Sequence, residues 1–117
     1  MEFYNIRPTP IYMSLLIDRL GNRKDYVALK AQLESGVLKD KNSFDENVYN
    51  SLIEAFFKCR KQMEQLEYFW KMQAHVQLLE KPGKTYKTMR DSLLFFGNKS
   101  DMDRINDFYR ENYPDVI

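Results

Sequence analysis

Three tyrosines at equal spacing constrain this chain more than any other feature of its sequence. Tyr12, Tyr49 and Tyr86 lie 37 residues apart, and similar residues follow each of them. The residues two and three positions later are Ser14 and Leu15, Ser51 and Leu52, and Thr88 and Met89. A period of about 20 to 50 residues is typical of arrays of repeated structural units. We therefore expect three tandem repeats, over about residues 8–44, 45–82 and 83–115.

Within each period, the apolar residues follow a helical pattern twice. In the middle period the first apolar stripe includes Leu52 and Phe56, polar residues follow, and a second stripe includes Phe69. Spacings of three and four residues indicate amphipathic helices. The sequence predicts no strand and six helices, over about residues 10–21, 24–35, 45–59, 62–77, 84–96 and 100–112. Leu52 and Phe69 are expected in the core, and the three repeated tyrosines are expected to pack between repeats, with hydroxyls bonded to backbone groups.

Tandem helix pairs stack because no single pair can bury its own apolar face. The predicted fold is therefore all-α, an α-solenoid of about three helix-turn-helix repeats. The first predicted helix carries a broad apolar surface that includes Leu15, Leu16 and Leu20. Residues 1–8 and 113–117 look like parts of further repeats. We expect this single domain to be a segment of a longer array, or to have its ends covered by a partner.

Composition argues against several classes of function. There are 18 basic and 17 acidic residues, so the net charge of +1 creates no strong overall field. His75 and Cys59 are the single histidine and cysteine, which leaves no pattern of a histidine- or cysteine-based catalytic or metal site. We expect no enzymatic activity and no cofactor. No apolar run approaches the roughly 18 residues that span a bilayer, so no membrane insertion is expected.

The middle period resembles the pentatricopeptide repeat family. In that family the first helix opens with a Tyr-Asn pair followed by Leu-Ile, and the second helix ends with Phe and, three residues later, Met. The corresponding residues here are Tyr49-Asn50, Leu52-Ile53, Phe69 and Met72. Residues 6–33 and 81–102 are similar, with Pro8 and Pro82 where the family often places a proline ahead of a repeat.

The resemblance implies binding to single-stranded RNA, with one base read by two or three side chains of each repeat. It also implies a mitochondrial location and a role in organellar RNA processing, stability or translation. When the two base-reading positions of each repeat in that family are transferred to this sequence, they fall on three pairs: Met13 with Asp45, Asn50 with Pro82 or Gly83, and Lys87 with Asp115.

A basic row on the predicted fifth helix gives a second kind of candidate contact. Lys84, Lys87 and Arg90 recur every three residues and are expected to hold RNA phosphates. The alternative is an ordinary solvated helix face. The candidate RNA-binding residues are Asn50, Asp45, Met13, Lys84, Lys87 and Arg90.

A second function stays open at this point. The degenerate repeats could instead form a protein–protein scaffold, with ribosomal or assembly proteins as partners. The near-neutral charge of the chain favours this alternative.

Overall fold

The computed structural model describes residues 8–117, and within that range the regular structure is entirely helical. The six α-helices are α1 (Pro10–Asn22), α2 (Tyr26–Ser35), α3 (Glu46–Lys58), α4 (Gln62–His75), α5 (Pro82–Phe96) and α6 (Lys99–Asn112). Short 3-10 helices lie at Lys41–Ser43 and Pro114–Val116. The predicted all-α class and the six helices are thus confirmed for residues 8–117, which contain no strand. The repeat-like sequence expected before Pro8 lies outside the described residues.

None of the helices described in this range combines the length and the hydropathy needed to cross a membrane.

Capping residues decide where the helices begin. Asp25 and Asp45 precede α2 and α3, and an Oδ1 atom of each accepts a hydrogen bond from the amide three residues later, at 3.1 and 2.9 Å. Asn98 caps α6 in the same way, at 3.1 Å. Proline is favoured at the start of a helix because it has no amide hydrogen to leave unpaired there, and α5 begins at Pro82. These signals explain why α2 starts later than predicted and α5 earlier.

The three turns that join the helices of each pair share one geometry. Each turn places a residue in the left-handed region, at Lys24 (φ 56°), Arg60 (φ 59°) and Gly97 (φ 68°). In each turn the next amide donates to the carbonyl five residues back, from Asp25 to Leu20, Lys61 to Phe56 and Asn98 to Leu93, at 3.0, 2.8 and 2.9 Å. This pattern is the Schellman motif that commonly ends helices. The same turn therefore occurs three times, at a spacing close to the tyrosine period.

The first helices of the three pairs pack against one another. α1 lies along α3, and α3 contacts α5, while α2, α4 and α6 each pack on the first helix of their own pair. Leu52 and Phe69 are fully buried, so the prediction that they are core residues is confirmed. At Gly21 of α1, an added Cβ would lie 2.8 Å from the Cβ of Ala55 on α3. The glycine therefore allows a close approach of the two helix backbones.

The repeated tyrosines differ in their surroundings, which corrects part of the prediction made for them. Tyr49 is buried, and a hydrogen bond of 2.8 Å joins its hydroxyl to Nδ1 of His75. The Tyr86 hydroxyl donates to Oδ1 of Asn106 at 2.7 Å. These two partners are side chains of the second helix in the same pair, not backbone groups. Tyr12 is 52% exposed, because no earlier helix in the described residues covers that side of α1.

Candidate nucleic-acid interface

Two of the six predicted RNA-binding residues are inside the protein. Met13 has no exposed surface and belongs to the core. Asn50 is 4% exposed, and its Oδ1 accepts a hydrogen bond of 2.6 Å from the hydroxyl of Thr85 on α5. An RNA base cannot reach either side chain in this arrangement. The expectation that Met13 and Asn50 lie at an RNA-facing surface is therefore corrected.

Asn50 belongs to a polar layer buried between α3, α4 and α5. Gln65 of α4 has no exposed surface; its Nε2 donates to the carbonyl of Ile53 at 3.0 Å, and its Oε1 accepts from the Ser92 hydroxyl at 2.5 Å. The Nδ2 atom of Asn50 has no partner within the described residues. Buried polar groups need partners, so these side chains fix how α5 sits on the preceding pair.

Asp45 is exposed, but its side chain already serves the fold. Its Oδ1 accepts a hydrogen bond of 2.9 Å from the amide of Val48 and so begins α3. A carboxylate also repels RNA phosphates. The structure thus assigns Asp45 a capping role, and its predicted role in reading a base stays a prediction.

The basic row Lys84, Lys87 and Arg90 lies at the surface of α5, where all three side chains are exposed. At 1.5 Å per residue, the row extends about 9 Å along the helix axis. Lys84 Nζ lies 4.0 Å from a Glu54 carboxylate oxygen on α3, and a guanidinium nitrogen of Arg90 lies 3.4 Å from Asp91 Oδ1. Lys87 forms no ion pair within residues 8–117. Exposed pairs of this kind are weak, so the cations can exchange these carboxylates for phosphates.

An exposed aromatic cluster lies at the end of the same helix, and it was not predicted. Phe95 and Phe96 of α5 are 57% and 36% exposed, and the ring of Phe57 on α3 lies 5.9 and 6.4 Å from theirs. The Arg60 guanidinium sits 4.6 Å from the centre of the Phe95 ring. A sequence signal did exist, because the run from Leu93 to Phe96 places more apolar side chains than one helix face can bury.

A groove of about 1140 Å³ runs along the second helices, on residues of α2, α4 and α6. The partly buried Trp70 lines it, with the Arg104 guanidinium 5.2 Å from its ring. Tyr26 donates a hydrogen bond to Glu64 across the groove, and this bond to a carboxylate raises the pKa of the tyrosine to about 12. The lining combines lysines with about as many carboxylates, so the groove offers no preference for an anionic ligand.

Within the described part of the chain, no group of three or more histidine, cysteine or carboxylate side chains could hold a metal ion. Burial raises the pKa of the Cys59 thiol, which disfavours the reactive thiolate.

Comparison of the chain with protein-family models, with curated proteins and with solved structures finds no match.

Proposed function

We propose that this protein binds single-stranded RNA through the basic row on α5. The observation that carries the proposal is the row itself: Lys84, Lys87 and Arg90 are exposed on one helix, and their carboxylate neighbours are surface groups that phosphates can replace. Lysine and arginine contacts to phosphates supply most of the affinity of nonspecific nucleic-acid binding. Because they do not touch base edges, they position a strand without reading its sequence.

We also propose that the three helix pairs are stacked repeats of the pentatricopeptide type. The shared left-handed turns at Lys24, Arg60 and Gly97 support this, since equivalent turns are expected from equivalent units. The packing of α1 on α3 and of α3 on α5 is the contact expected between successive repeats. A role in mitochondrial RNA processing, stability or translation rests on the resemblance of the middle period to that family.

The buried positions of Met13 and Asn50 limit the proposal. The first and second repeats would not read bases through these side chains, since neither reaches the surface. The proposed interaction is therefore dominated by phosphate contacts and tolerates many RNA sequences. Its affinity should depend steeply on salt concentration.

The test is a titration of a degenerate pool of single-stranded RNA at several salt concentrations. Binding should weaken as salt rises, and Lys87→Ala should lower the slope of log affinity against log salt by about 0.7, the value for one phosphate contact on a single strand. Lys30→Ala, an exposed lysine on α2, is the matched control and should leave the slope unchanged. The proposal fails if the wild-type protein does not bind at low salt, or if Lys87→Ala behaves like the control.

One observation favours a protein scaffold as the second candidate function. On α1, Ile11, Tyr12 and Leu15 are 75%, 52% and 60% exposed. These side chains form an exposed apolar surface on α1 on which a preceding repeat or a partner protein could pack. Ribosomal or assembly proteins of an organelle are the candidate partners, and a failure to bind RNA at low salt would leave this function in place.

A further inference from the structure

The aromatic cluster at the end of α5 is a second exposed feature beside the basic row. It consists of Phe57, Phe95 and Phe96 with Arg60, and the Phe95 and Phe96 rings lie 5.1 Å apart, edge to face. Leu94, next to it on α5, is 67% exposed. Exposed apolar side chains gathered in one place usually mark a binding surface, whereas single ones are common on any protein.

The cluster continues the line of the basic row. Leu94 follows Lys87 by seven residues, which is almost two turns, so the two side chains leave the helix within about 20° of each other. Phe95 follows Lys84 by eleven residues, or about three turns. A strand whose phosphates lie on the row would therefore pass beside the Phe95 ring at the end of the helix.

One cation, Arg60, lies directly on the cluster, and Asp91, the carboxylate one turn before Phe95 on α5, is paired with Arg90. Arg60 rests on the Phe95 ring, whereas the Lys58 side chain reaches towards α1, where its Nζ donates to Asn22 Oδ1 at 2.7 Å. Arg60 belongs to the turn between α3 and α4, where its backbone is left-handed. Anionic ligands with flat faces suit such a surface, because an aromatic ring and a guanidinium both stack on bases while cations bind the connecting phosphates.

We propose that Phe95, supported by Phe57, Phe96 and Arg60, is a stacking site for one unpaired RNA base. The inference rests on the proposed binding of single-stranded RNA and adds to it a contact that requires a base. Stacking tolerates any base, since every base has a π face. The site would thus fix the strand at the end of α5 without selecting a sequence.

The experiment compares a short single-stranded RNA with an abasic oligonucleotide that has the same ribose-phosphate backbone and the same number of phosphates. The wild-type protein should prefer the RNA with bases by about 5- to 150-fold, the range found for the loss of one stacked base. Phe95→Ala should abolish this preference and keep both the binding of the abasic strand and the salt slope. Phe95→Trp should retain the preference because the larger ring still stacks.

Tyr12→Ala is the control, since Tyr12 is also an exposed aromatic residue but lies on α1, two helix pairs away. It should preserve the preference. Equal wild-type binding of both strands, or an unchanged preference in Phe95→Ala, would overturn the stacking site alone and point to a protein partner for the cluster. An absence of wild-type binding to either strand at low salt would overturn the RNA-binding function together with this site.

Discussion

At the scale of single residues, the left-handed turns carry the clearest energetic signature. Lys24, Arg60 and Gly97 adopt the same backbone conformation, but only glycine adopts it without steric cost. For other residues, the Cβ lies too close to the following carbonyl, which costs roughly 1–2 kcal/mol. The turns before α2 and α4 therefore contain strain that the turn before α6 avoids.

Exchanging these turn residues should change stability in opposite directions. Gly97→Ala should lower the free energy of unfolding by about 1–2 kcal/mol from backbone strain alone, because an added Cβ meets no atom within 4 Å. Lys24→Gly should raise it by about 0.5–1 kcal/mol, since glycine relieves the strain at some cost in chain entropy. Urea denaturation measures both changes. If Gly97→Ala unfolds at the same urea concentration as the wild type, that result would contradict the left-handed conformation at residue 97.

The buried Asn50 gives a second prediction at the scale of residues, because a structural role and a base-reading role predict different effects of its substitution. Its bond to Thr85 lies inside the contact between α3 and α5. Asn50→Ala should lower the free energy of unfolding by about 1–2 kcal/mol, since the Thr85 hydroxyl loses its buried acceptor. The base preference and salt slope of RNA binding should stay as in the wild type. A changed base preference in a folded Asn50→Ala variant would restore the base-reading role expected from the family resemblance.

At the scale of helices, the contact between α1 and α3 depends on how closely their backbones approach. Gly21 faces Ala55 at a separation that leaves no space for a methyl group, and both residues are buried. Alanine normally stabilises a helix relative to glycine, but crowding at a closely packed contact costs more than this gain. The contact between α1 and α3 should therefore be sensitive to one added carbon atom.

Two glycine-to-alanine variants test this contact. Gly21→Ala should lower the free energy of unfolding by about 1–3 kcal/mol, because α1 and α3 must move apart. Gly83→Ala in the first turn of α5 is the matched control; an added Cβ there meets nothing within 4 Å, so stability should stay the same or rise by up to about 1 kcal/mol. Thermal denaturation followed by circular dichroism compares them. Equal effects at both positions would mean that α1 and α3 are not in close contact.

At the scale of the whole molecule, the sequence was sufficient to predict the helices but not which of their side chains are exposed. The spacing of Leu52, Phe56 and Phe69 identifies helices because burial follows the helical period. The burial of Met13 and Asn50 could not be predicted in the same way, since it depends on how one pair rotates against the next. The exposure of Phe95 has the same cause: the four-residue apolar run is visible in the sequence, but which of its members α3 covers is decided by packing.

The most direct test of the account maps RNA onto the folded protein by NMR. A single-stranded RNA titrated into uniformly ¹⁵N-labelled protein at low salt should shift the amide resonances of α5, from Lys84 to Phe96, and of the turn at Arg60. The amides of α2, which packs on α1 in the first helix pair, should stay unchanged. Shifts confined to the groove residues of α2 and α4, or no shifts at low salt, would contradict the claim that α5 forms an RNA-binding surface.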